Sequence, residues 1–157
     1  MKIAIASDHA GFGLKSRIIR YLTEKKVETL DLGTHSRDSV DYPDYATRVA
    51  ESVSKGEVDR GILICGTGIG MSIAANKFQR VRAALCHNDA TAEASRRHND
   101  ANILVLGERV LDEEKAIEIL RIWLTTEFEG GRHQNRLDKI QSIEASQQTE
   151  PRSSEGY

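Results

Sequence analysis

Short apolar runs alternate with longer amphipathic ones along most of the chain. Ile3 to Ala6, Val27 to Leu32, Gly61 to Cys65, Val81 to Cys86 and Ile103 to Leu106 are brief, nearly continuous apolar runs, the pattern of buried strands. Between them the spacing changes to that of helices. Phe12 to Lys25 places Leu14, Ile18, Ile19 and Leu22 on one face, and Tyr45 to Ser54 does the same with Ala46, Val49, Ala50 and Val53. Further helices are predicted through Ile73 to Lys77, near Ala90 to Arg97, and over Glu113 to Thr125 behind an Asp112 cap. Strand–helix alternation of this kind predicts an α/β fold. The expected architecture is a single-domain three-layer α/β/α sandwich around a five-stranded parallel, Rossmann-like sheet, with right-handed connections.

A last amphipathic segment, from about Arg132 to Ala145, carries Leu137, Ile140 and Ile143 at helical spacing. Its stripe suits either its own domain or a second subunit. The polar residues after it, 146–157, read as a disordered tail, so the folded domain is expected to span residues 1–145.

Composition narrows the function classes. The chain has 157 residues, 39% hydrophobic and 29% charged, with a formal net charge of -2. Nothing basic enough to bind nucleic acid stands out, and no run is long enough to span a membrane. The opening MKIAIASDHAG turns polar too soon for a secretion signal. Two cysteines, Cys65 and Cys86, form no spaced framework, so a reduced cytoplasmic setting is expected.

Ligands of open parallel sheets bind beyond the C-terminal strand ends. There the sequence puts Ser7-Asp8-His9-Ala10-Gly11, then Cys65 with Gly66-Thr67-Gly68-Ile69-Gly70, then Cys86-His87-Asn88-Asp89, then Gly107-Glu108-Arg109. The glycine loop reads G-x-G-x-G. It lacks the spacing of a dinucleotide fingerprint and follows the third strand instead of the first. Lys77 is too far along for a Walker loop. What remains is a tight turn able to offer N–H groups to an anion. A thiol just before such a turn can serve as nucleophile or base, whereas Cys86 reads as a small buried hydrophobe.

The other candidates each have a plain structural alternative. Asp8 could cap the next helix, and His9 alone says little. His98 and Asn99 sit at a helix end, where Asn99 or Asn102 could adopt the left-handed conformation of a C-cap. Arg132 and Arg136 share a helix face close to its N-terminus, where cations are disfavoured. An anionic ligand would account for them, and so would a solvated basic face. The five histidines show no metal-ligand spacing.

Taken in order, IASDHAG, DYPDYA, ILICGTGIGMSIAANK, SRRHNDAN and EGGRHQNR resemble the ribose-5-phosphate isomerase type B family, which includes galactose-6-phosphate isomerase subunits. The resemblance covers roughly residues 1 to 145. It implies an aldose–ketose isomerase that acts on a phosphorylated pentose, interconverting ribose 5-phosphate and ribulose 5-phosphate, without metal or cofactor. It also implies a homodimer, or a tetramer, whose active sites draw on both subunits. By the resemblance, Cys65 matches the base that carries a proton between C1 and C2. Members with glycine at that position use a loop glutamate, and here that position is Met71. Thr67 and the amides of Gly66, Gly68, Ile69 and Gly70 match the group that steadies the enediolate. His98 matches the residue that helps open the sugar ring, with Asp8 near the ring hydroxyls. His9, Arg109, Arg132 and Arg136 match the phosphate surroundings, Asn99 a sugar contact, and Tyr42 the pocket wall. The chemistry is consistent, because enolisation needs a positioned base and donors where charge develops. A hexose 6-phosphate isomerase and a non-catalytic phosphosugar-binding protein are the competing expectations. The second would have no use for a thiol at Cys65.

Overall fold

The computed structural model describes residues 1–149. Residues 150–157, which carry most of the expected tail, lie outside the described residues. Five strands form one parallel sheet: β1 (Lys2–Ser7), β2 (Glu28–Asp31), β3 (Arg60–Cys65), β4 (Ala83–Leu85) and β5 (Ile103–Gly107). Their order is β2-β1-β3-β5-β4. Six helices accompany them: α1 (Phe12–Glu24), α2 (Tyr42–Ser54), α3 (Ile69–Ala75), α4 (Asp89–Arg97), α5 (Glu113–Thr125) and α6 (Arg132–Thr149). The predicted α/β sandwich is therefore the fold.

Alternation along the central strands sends side chains into two cores. On one face Ile3, Ile5, Ile62, Ile64, Leu104 and Leu106 meet Leu14, Ile18 and Leu22 of α1 and Ile119, Leu120 and Trp123 of α5. On the other, Ala4, Ala6, Leu63, Cys65 and Val105 meet Ala46, Val49, Ala50 and Val53 of α2 and Met71 and Ala75 of α3. Each fully buried aliphatic side chain contributes about 1.5–3 kcal/mol. Double-sided burial holds for β1, β3 and β5. It does not hold at the sheet edges, where β2 alternates exposed with half-buried and β4 is half-buried throughout.

Several boundaries differ from the sequence expectation for identifiable reasons. Helix α2 begins at Tyr42, not Tyr45, because Pro43 falls in its first turn, where its missing N–H costs nothing. Helix α3 starts directly off the glycine loop at Ile69, with Gly68 as a left-handed N-cap (φ 81°). The fourth strand shrinks to three residues. Helix α6 runs past Ala145 to Thr149, so residues 146–149 are helical, not tail.

Two features aim the sheet at a ligand. The chain leaves β1 toward β2 on one side, while β3 lies on the other, so the β1/β3 border is the topological switch point. All strands run parallel, so every strand C-terminus opens on one edge and every N-terminus on the opposite one. No helix among the described residues is long and apolar enough to cross a membrane.

Candidate active site

At the switch point β1 and β3 end side by side. The N–H of Asp8 donates to the carbonyl of Ile64 (3.2 Å). The Asp8 carboxylate is buried and accepts from the N–H of Gly11 (3.1 Å), capping the short turn His9–Gly11. The capping alternative for Asp8 is thus realised. His9 is held by Val40, whose N–H lies 3.1 Å from Nδ1. The carbonyl of Val40 lies 3.2 Å from the same nitrogen, so the Val40 backbone fixes the ring through both its polar groups.

Cys65 closes β3, 5% exposed, with the N–H of Gly68 donating to its sulfur across 3.2 Å. That bond requires the chain to double back within three residues. Gly68 makes this possible through its positive φ, and a methyl there would lie 2.4 Å from Leu85. Thr67 is exposed at the loop tip, its Oγ1 accepting from the N–H of Ile69 (3.3 Å). The loop is walled on two sides. The ring of Tyr42 packs on Gly70, where an added Cβ would come within 2.5 Å of it. The guanidinium of Arg109 lies across Gly66, 3.1 Å from where a Cβ would stand. Arg109 is set there from its backbone, because the N–H groups of Glu108 and Arg109 donate to the carbonyls of Cys65 and Gly66. Met71 is fully buried in α3 and offers no alternative base. Cys86 is the inert thiol of the pair: burial raises its pKa, and the hydrogen bonds with Ser95 and Thr91 lower it less.

The other predicted residues lie elsewhere. Helix α4 ends at His98, just before the chain enters β5 from its N-terminal end. The N–H of Gly61, at the start of β3, donates to the carbonyl of Asn102 (2.8 Å). His98, Asn99 and the first turn of α6 with Arg132 and Arg136 therefore occupy the edge opposite Cys65. The five residues of β5 alone separate the edges by about 16 Å at 3.3 Å per residue. Within one chain the groups at the strand C-termini share one edge, as expected, and His98, Asn99, Arg132 and Arg136 stand at the other. The left-handed residue here is Asp100 (φ 43°), not Asn99 or Asn102. Asn102 instead accepts from the N–H of Arg82 and donates to the carbonyl of Arg80.

This second edge holds residues that the sequence reading passed over. Gly130 and Gly131, both at positive φ, turn the chain so that His133 lies under His98. The two rings stack, centroids 4.4 Å apart and planes 16° from parallel. Glu129 is paired with Arg97, which holds its carboxyl below the usual range, and its other oxygen is 3.4 Å from His133 Nε2. Burial first, then His98, Arg132 and Arg136, push the His133 pKa down. The spacing Glu129–His133, four apart behind a Gly-Gly turn, was the available signal. Likewise Glu108 accepts from the N–H of Leu14 (2.9 Å) and pins the loop that carries Arg109 to the start of α1.

Known proteins share this fold. A sequence model described as ribose/galactose isomerase matches residues 3–140. The chain belongs to the ribose/galactose isomerase family. Ribose-5-phosphate isomerase B of Escherichia coli K12 is 52% identical over 143 residues, covering 91% of this chain and 96% of that one. Among solved structures, ribose-5-phosphate isomerase B of Clostridium thermocellum superimposes with a TM-score of 0.93 at 54% identity, over 94% of this chain and 99% of that one. The Mycoplasma genitalium enzyme, solved with bound ribulose-5-phosphate, gives a TM-score of 0.89 at 45% identity, over 92% and 96%. The family resemblance drawn from the five sequence segments is thereby established, and with it the isomerase class.

Proposed function

We propose that this chain interconverts ribose 5-phosphate and ribulose 5-phosphate in a site built by two copies. Cys65, Thr67 and the glycine loop come from one copy, and His98, Asn99, Arg132 and Arg136 from the other. The observation that carries the reading is the Cys65 thiol at the switch point, under a loop that bends an N–H onto it and is crossed by Arg109. His98 assists ring opening of the furanose by moving a proton at the ring oxygen, while Asp8 meets the sugar hydroxyls. The Cys65 thiolate takes the proton from C2 of the open aldose. The electrons of that C–H bond form the C1–C2 double bond of an enediolate, and negative charge moves to the C1 oxygen. Thr67 and the loop amides face that charge. The O2 hydroxyl proton passes to O1, the C2–O bond becomes the new carbonyl, and return of the carbon-bound proton to C1 gives the ketose. Arginines match phosphate oxygens by their planar fork, so Arg109, Arg132 and Arg136, with His9, are assigned to the phosphate. Asn99 contacts the sugar and Tyr42 walls the pocket. The chemistry asks for a base and donors, and no step calls for a metal.

Exposed apolar groups at both edges support the shared site. Ile73 of α3 is 58% exposed and Ile143 of α6 is 62% exposed. A two-fold axis would set the loop edge of each copy against the α6 edge of the other. A reducing, cytoplasmic setting suits two free cysteines. The test is conversion of ribose 5-phosphate by the purified protein with EDTA present, beside allose 6-phosphate, for wild type and Cys65→Ala. Fast pentose conversion, lost in the variant, is expected. Preference for the hexose would move the substrate assignment, and no conversion of either sugar would overturn the reading.

A further inference from the structure

The stacked pair at the end of α4 is more than a packing contact. His133 is 4% exposed, and neither ring nitrogen has a hydrogen-bond partner among the described residues. A buried imidazole without a hydrogen bond is a costly way to fill space that an apolar side chain would fill better. Its close relations are a Glu129 carboxylate oxygen 3.4 Å from Nε2 and the His98 ring stacked on it. The local backbone is arranged to make that contact. The N–H of Glu129 donates to the carbonyl of Arg97, Gly130 and Gly131 reverse the chain, and the N–H of His133 donates back to the carbonyl of Gly130. Arg97 holds Glu129 from α4, and Glu129 faces His133, so the end of α4 and the start of α6 close into one unit around the two rings.

A cation site is the obvious alternative, because His98, Glu129 and His133 each bring a donor atom within 4.8 Å of the others. The geometry argues against it. An imidazole lone pair lies in the ring plane, and an ion shared by two nearly parallel rings 4.4 Å apart would lie out of both. The setting is also cationic, since Arg97 already holds Glu129 and Arg132 and Arg136 depress protonation of His133.

We infer that His133 is a positioning residue, the platform that fixes the plane of the His98 imidazole for proton transfer at the sugar ring oxygen. The inference rests on the ring-opening role proposed for His98. A neutral platform suits the task, because a charged one would repel the proton that His98 has to carry. A flat, non-titrating ring should therefore replace His133, and a small side chain should not. Misplacing a reacting group by about 1 Å can cost roughly 100-fold in rate.

Ring opening can be isolated chemically. Ribose 5-phosphate closes through its 4-hydroxyl onto C1. In ribulose 5-phosphate the 5-hydroxyl is esterified, so the ketose has no hydroxyl placed to close a five-membered ring. Exchange of its C1 hydrogen with D2O therefore needs Cys65 but not ring opening, whereas net isomerisation needs both. We expect His133→Ala to lower net isomerisation about 10–100-fold while C1 exchange stays near wild type. His133→Phe should recover most of the lost rate. His98→Asn should show the same selective loss, and Cys65→Ala should lose both activities. A His133→Ala variant with unchanged isomerisation beside a selective His98→Asn defect would overturn the inference alone. So would equal loss of both activities in His133→Ala, or no recovery in a folded His133→Phe. A His98→Asn variant without the selective loss would overturn the ring-opening assignment and the inference with it.

Discussion

At the residue scale the proposed chemistry depends on one sulfur and the glycines that let a loop fold over it. Replacing Cys65 by Ala removes the proposed base and only a small buried volume. Turnover is expected to fall by at least about 100-fold, while ribose 5-phosphate still protects the variant from thermal unfolding. A loss of that protection would mean that the sulfur serves structure. Gly68 is a backbone position before it is anything else. Gly68→Ala meets both a left-handed φ and the side chain of Leu85, so a loss of about 1–3 kcal/mol in urea denaturation is expected. Activity should fall with it, because the N–H of Gly68 is the donor on the sulfur. The tight turn was legible from sequence, because a glycine run after a buried strand suits a left-handed position such as Gly68, whereas a definite role for Cys65 came only with the family resemblance. Asp8 shows the opposite case. Its capping bond and its expected sugar contact call for the same residue type, and only the structure reveals that one oxygen is already engaged with Gly11.

At the element scale, apolar spacing located every strand and helix, and the errors fell where spacing carries no information. Pro43 looks like a break but sits in a first helical turn. The last turns of α6 are polar, so a stripe ending near Ile143 could not announce a helix running to Thr149. The position of His98 was the larger loss. Its helix end is readable, yet only parallel topology says that a helix ending before β5 ends at the edge away from Cys65. The α4–α6 unit also carries a pH prediction. Burial lowers the pKa of His133 below its ordinary 6.5, so the folded state binds this proton less readily than the unfolded chain. Stability from this group is complete above about pH 6.5 and is lost as the pH falls through the unfolded value toward the folded one. The Tm of wild type should therefore fall more steeply than that of His133→Phe between about pH 7 and pH 5. Parallel Tm curves would remove the buried neutral imidazole from the account.

At the scale of the whole molecule, the two residue groups assigned to the proposed site stand on opposite edges of a sheet too deep for either to reach the other. Helix α6 leaves Ile140 and Ile143 largely exposed, over a cleft lined by Val81, Ala83 and Leu137. The double substitution Ile140→Glu and Ile143→Glu is expected to yield a folded monomer by sedimentation, with isomerase activity lost. An active monomer would refute the shared site. The most direct measurement mixes two inactive proteins. Cys65→Ala and His98→Asn, combined at equal concentration and allowed to exchange subunits, form hybrids in which one of two sites has both groups intact. Random exchange makes half the dimers hybrids, so about a quarter of wild-type conversion of ribose 5-phosphate should return. If exchange is complete, as verified with differently tagged chains, and no activity returns, Cys65 and His98 do not meet across two copies and the account fails.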